Sequence, residues 1–199
     1  MNRSQLIPAV TIVFAACGGG DASDTGTTNS GATSQPVATA PAGPAAPTGP
    51  MTIPDWYSVD NDARTVHLTV TAGSVPDNNY WNMNGAIKGA LAITVPEGFA
   101  VTIDFVNKDP NMAHSLGISA ELVNFTVPPT PAPVFEGAMT QNPQSMLDAT
   151  MPGQTETISF VAETAGNYSM TCYIAGHSTV GMWLFFNVSA DGAAGVQGL

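Results

Sequence analysis

From Thr65 to Thr71 the chain reads Thr-Val-His-Leu-Thr-Val-Thr, which puts Val66, Leu68 and Val70 on one face of an extended strand and His67 on the opposite, solvent-facing side. The same short apolar rhythm returns at 91–95, where it is closed by the turn Pro96-Glu97-Gly98, and again at 101–107. Further candidate strands lie at 114–119, 155–162, 166–171 and 182–189. After Trp56 no stretch holds a 3.6-residue period long enough for a substantial helix. A chain built this way is predicted to be all-β, a Greek-key β-sandwich of roughly seven to eight strands over residues 55–190, with a flexible tail at 191–199.

The chain before residue 55 obeys different rules. Met1 to Gln5 carries one positive charge, Leu6 to Ala16 is apolar, and Phe14-Ala15-Ala16 sets small residues before Cys17. This is the pattern of a bacterial lipoprotein signal at 1–16, with Cys17 as the lipidated first residue of the mature protein. An ordinary secretory signal cut nearby is the alternative, and either reading takes the protein out of the cytoplasm. The apolar stretch as a helix reaches only about 17 Å, short of the ~30 Å hydrocarbon core, so a retained transmembrane helix is disfavoured.

Residues 17–54 follow as a low-complexity linker of Gly, Ala, Ser, Thr and Pro, in which Val37 is the one larger aliphatic residue between Gly18 and Pro50. Such a segment buries too little surface to offset the entropy of ordering it, and is expected to be a disordered spacer tethering the domain to a membrane. The predicted location is the cell envelope, lipid-anchored and facing the periplasm or the exterior.

Charge narrows the partners. Four Lys and Arg against fifteen Asp and Glu give a net charge of -11. Nucleic acid is an unsuitable partner, because nothing in the chain could neutralise its phosphates. Two cysteines, Cys17 and Cys172, do not make a disulfide scaffold.

One segment breaks the strand rhythm. Residues 124–153 are rich in Pro and carry Met139, Met146 and Met151, which predicts a long excursion outside the sheets. Its methionines either pack the excursion onto the sandwich or serve copper loading or partner docking.

The chemistry concentrates in Cys172-Tyr173-Ile174-Ala175-Gly176-His177-Ser178-Thr179-Val180-Gly181-Met182, where a thiol, an imidazole and a thioether recur after four-residue gaps. These are the soft and borderline donors that suit copper, and a blue-copper site needs two His and one Cys in a plane with a distant Met on its axis. His114, after a strand and the polar turn Asn107-Lys108-Asp109-Pro110-Asn111, is the natural source of the second imidazole.

With these residues the chain resembles the cupredoxin family, and within it the sulfocyanin and rusticyanin branch, whose ligand loop also runs Cys-x4-His-x4-Met. The likeness extends from about Tyr80 to Ser189 and takes in Asn82-Met83-Asn84-Gly85, the strand pair around Val95-Pro96-Glu97-Gly98 and Gly181-Met182-Trp183. It implies a cupredoxin-like sandwich holding one type 1 copper per chain. His114 and His177 are the implied imidazole ligands, Cys172 the thiolate and Met182 the weak axial ligand. Many cupredoxins follow the first histidine with Asn, which clamps the ligand loop, whereas this chain has Ser115.

The implied function is one-electron transfer between redox partners of the cell envelope, such as a cytochrome or a terminal oxidase. A copper-storage or copper-delivery protein using the Met-rich loop is the alternative. An enzyme is not expected: the chain has three histidines in all, and a second catalytic copper would lack ligands. A dinuclear centre would need two bridging cysteines, and only Cys172 remains once Cys17 is lipidated.

Overall fold

The computed structural model describes residues 43–122 and 125–198. The expected signal segment, Cys17 and most of the linker lie outside the described residues.

Alternation decides which side chains enter the core. In β2 (Thr65–Ala72) Val66, Leu68, Val70 and Ala72 are buried, and in β4 (Ala100–Asn107) Val101, Ile103 and Phe105 are. The two strands pair in parallel with Leu68 opposite Ile103. Tyr57–Asp60 forms β1, antiparallel to β2, and Thr155–Val161 forms β6, antiparallel to β4. These four make one sheet in the order β1-β2-β4-β6.

The second sheet contains β3 (Ala92–Pro96), β5 (Gly117–Ala120), β7 (Gly166–Thr171), β8 (Trp183–Ser189) and β9 (Gly195–Gln197), ordered β5-β7-β8-β3-β9. Its inner face contributes Ile118, Met170, Leu184 and Phe186 to the core cluster shared with the first sheet. Its outer face is apolar too: Trp183 packs with Ala92, Phe125 and Phe185 in a second cluster. That explains why β8 reads as a nearly continuous apolar run instead of an alternation.

The all-β sandwich expected from the sequence is therefore present, with nine strands among the described residues. Three boundaries differ from the expectation. Where a flexible tail is expected after residue 190, β9 adds to the edge of β3, and Val196 is fully buried. Thr52 forms a bridge with the same Val196, so the last part of the expected linker lies along the sandwich as well. The strand expected from His114 begins only at Gly117, because His114 is drawn into an isolated bridge with Thr150.

That bridge belongs to the long excursion, described here from residue 125 onward. It folds back on the sheet: Met139 pairs with Gly117, and Phe135, Ala138 and Ala149 are buried. Met151 packs against the core while Met146 is exposed.

Candidate metal centre

Three loops meet at one end of the sandwich. The first follows β4 and is wound around two buried side chains. Asn107 donates from Nδ2 to the carbonyls of Met112 and Thr150, both at 2.8 Å, and accepts the amide of Asp109 at 2.9 Å. Asp109 Oδ1 in turn accepts the amides of Asn111 and Met112, at 2.8 and 3.1 Å. This turn, with the two-way backbone bridge between His114 and Thr150, delivers the His114 ring to the interior, where it is fully buried.

The second loop joins β7 to β8. Its ends are closed by the amide of Cys172 on the carbonyl of Met182, at 3.2 Å. Inside it, the amide of Met182 reaches the carbonyl of His177 at 2.9 Å, and the amide of His177 that of Ile174 at 3.1 Å. The four-residue gaps of the sequence thus form a compact loop that turns the side chains of Cys172 and His177 to the same side. Cys172 and Met182 are completely buried, and His177 is 1% exposed.

His114, Cys172 and His177 come together, each offering one donor atom, with all three atoms within 4.8 Å of one another. His177 Nδ1 lies 3.5 Å from Cys172 Sγ and 3.1 Å from His114 Nδ1. An ion about 2.0–2.3 Å from nitrogen and sulfur donors spaces them by roughly 3–4 Å, and the two separations around His177 Nδ1 fall in that range. His67, the remaining histidine, is exposed on the first sheet and pairs with Asp104 at 2.8 Å, as its outward position in β2 predicts.

The protonation states also suit a metal. Burial lowers the pKa of His114 despite the opposing pull of Asp109, and burial together with the charge of His114 pushes His177 down to about 3. Both rings are therefore neutral lone-pair donors at neutral pH. His114 Nε2 donates to Asp109 Oδ2 at 2.8 Å. A carboxylate only accepts there, so the proton sits on Nε2 and Nδ1 turns its lone pair to the site. Burial pushes the Cys172 thiol up, so the thiolate needs a cation beside it to form.

Ser115 takes over the clamping task expected of Asn. Its hydroxyl oxygen accepts the amide of Tyr173 at 2.9 Å, tying the two loops together, which leaves its proton free for Cys172 Sγ at 3.7 Å. The Ser115 amide also points at that sulfur, at 3.5 Å.

The third loop supplies a residue that the sequence did not single out. The Trp81 ring stacks on His177 with centroids 4.0 Å apart and planes 21° from parallel. Asn82 is fully buried and holds the loop in place, with Nδ2 on the carbonyls of Val75 and Asp77 and Oδ1 accepting the hydroxyl of Ser74.

The comparison with known families agrees with this geometry: residues 53–195 match the sulfocyanin (SoxE) domain. The chain belongs to the sulfocyanin family. It is a cupredoxin, and the arrangement of His114, Cys172 and His177, with Met182 closing the loop, fits a type 1 copper site. Among curated proteins the chain is similar to a sulfocyanin of Sulfolobus acidocaldarius, 31% identical over 135 residues. That match spans 64% of this chain and 64% of the relative's length. Among solved structures it is similar to rusticyanin from Thiobacillus ferrooxidans, with 23% identity and a TM-score of 0.47 over 68% of this chain and 87% of that one. Another is auracyanin from Roseiflexus castenholzii, with 21% identity and a TM-score of 0.43 over 62% of this chain and 96% of that one.

Proposed function

We propose that this sulfocyanin-family chain is a one-electron carrier whose single copper would be held by His114, Cys172 and His177, with Met182 as a further, weaker sulfur donor. The observation that carries the reading is the convergence of two imidazoles and one thiol, all three buried. Bound copper supplies a Cu(II)/Cu(I) couple, one electron per cycle. The protein's part is to hold the donors still, so that little rearrangement accompanies the electron. The loop-closing bonds at Cys172, His177 and Met182, and the tie from Tyr173 to Ser115, do this.

The acidic chain favours a redox partner with a basic docking patch, a cytochrome or terminal oxidase being the class that fits, through a small transient interface. No enzymatic step is assigned, because all three histidines of the sequence are accounted for by the pocket and the His67–Asp104 pair. Among the described residues no helix is long and apolar enough to cross a membrane. A lipid on Cys17 is the proposed anchor and the cell envelope the proposed location, with mass spectrometry of the mature protein as the check: an unmodified Cys17 contradicts it.

Reversible voltammetry tests the carrier reading. One copper per chain cycling by a single electron supports it. Several weakly bound, redox-irreversible coppers mark the storage function instead.

A further inference from the structure

The carboxylate of Asp109 is 1% exposed, and its partners among the described residues are the amides of Asn111 and Met112 and the Nε2–H of His114. No lysine or arginine forms an ion pair with it among the described residues. A buried carboxylate with no cationic side chain beside it is costly, and one is retained where its charge or its acceptor geometry has a use.

The chain builds this position with some care. Gly73, at φ +67, lies so close that a Cβ there would come within 2.6 Å of the Asp109 amide nitrogen, and the amide of Lys108 bonds the carbonyl of Ala72 at 2.9 Å. The backbone around Asp109 is thereby fixed before the side chain acts. Both oxygens are then used: Oδ1 caps the turn and Oδ2 faces the imidazole. A carboxamide could offer an acceptor to only one of the two sides.

We propose that Asp109 positions His114 and holds the reduction potential of the copper centre down; the inference rests on the copper reading above. Accepting the Nε2–H fixes the ring and keeps Nδ1 as the coordinating atom, as hydrogen-bond acceptors behind metal-bound histidines do. The charge acts separately. The Cys172 thiolate and the Asp109 carboxylate together would balance the charge of a bound cupric ion. With a cuprous ion, one electron richer, the same two residues would leave one uncompensated negative charge in a buried site. The carboxylate therefore favours the oxidised state.

The test is voltammetry and optical spectroscopy on the full chain with Asp109→Asn, which keeps the shape and one acceptor oxygen and deletes the charge. The expected result is an intact blue absorption with a potential raised by at least the equivalent of a tenfold shift towards Cu(I), about 59 mV for one electron. Mere loosening of the pocket would admit water and lower the potential, so the sign separates tuning from a structural role. A blue variant with an unchanged or lowered potential overturns the inference. If the variant does not fold, the unmutated Cu(I) protein decides by nitrogen-15 NMR: a slowly exchanging His114 Nε2–H supports the proposal, and a ring without that proton overturns it. An unmutated protein that never turns blue instead removes the copper reading itself, and this inference with it.

Discussion

The indole of Trp81 lies face to face on the imidazole of His177, 4.0 Å between centroids, and leaves that histidine 1% exposed. The indole Nε1 has no hydrogen-bond partner among the described residues, so stacking and the loop around Asn82 hold the ring. An electron leaving through His177 in this direction meets an aromatic face before it meets water.

Removing that cover should be readable at His177. In the copper-free protein, burial is the largest cause of the depressed His177 pKa. Trp81→Ala should therefore raise it from about 3 towards the ordinary ~6.5, whereas Trp81→Phe should keep most of the depression. A proton NMR titration of the His177 ring checks this, and equal values in all three proteins would show that the stack does not shield it.

The same depressed values set a pH dependence. His177, at about 3, and His114, also lowered, stay neutral in the copper-free fold, while in the unfolded chain each imidazole takes up a proton near ~6.5. The unfolded state thus binds more protons between those limits. The contribution to stability is complete above about pH 6.5 and is lost as the pH falls towards 3. Denaturant midpoints of the copper-free protein should drop between pH 7 and 5, before most carboxylates titrate, and copper loading should keep that slope or steepen it, because the loaded fold also holds both rings unprotonated and gives up the Cys172 proton. A copper-free midpoint that is flat over this range contradicts the neutral-imidazole assignment.

Ser115 offers the Cys172 sulfur both its amide and its hydroxyl proton. Donors to a thiolate withdraw negative charge from it and favour the reduced metal. Ser115→Ala should lower the potential, and by releasing the Tyr173 amide should cost about 1–3 kcal/mol of stability. Voltammetry and chemical denaturation on the one variant check both effects.

Much of this was legible in the residues because strand periodicity and ligand spacing are local. The alternation at 65–71 and the apolar-to-turn boundaries around 166–171 coincide with β2 and β7 to within a residue. The ligand-loop residues Cys172, His177 and Met182, with His114, stand out by donor type. What escaped depends on distant contacts. β9 is a three-residue strand in a Gly- and Ala-rich stretch, and it exists because β3 and Thr52 supply its partners. Asp109 reads as an ordinary turn residue beside Pro110 until the loop closes on His114, and Trp81 reaches His177 from the opposite part of the chain. Ser115 looks like the loss of a clamp until its hydroxyl is seen on the Tyr173 amide.

Met182 is fully buried, and its backbone already serves the loop through both Cys172 and His177. Its thioether should donate weakly to Cu(II) and matter less to Cu(I). Met182→Leu should raise the potential, while Met182→Gln, with a harder oxygen donor, should lower it. Protein-film voltammetry reads both, and two unshifted potentials would make Met182 a core residue only.

The central claim is that the buried thiol of Cys172 becomes the thiolate ligand of one copper. Burial holds that thiol protonated, so metal binding must release its proton. The direct measurement is a Cu(II) titration of the full chain, followed by visible absorption and proton release together. An intense thiolate-to-copper band that saturates at one equivalent, with proton release, and that is absent from Cys172→Ser, is the predicted result. A colourless complex, or a band that survives Cys172→Ser, contradicts the account.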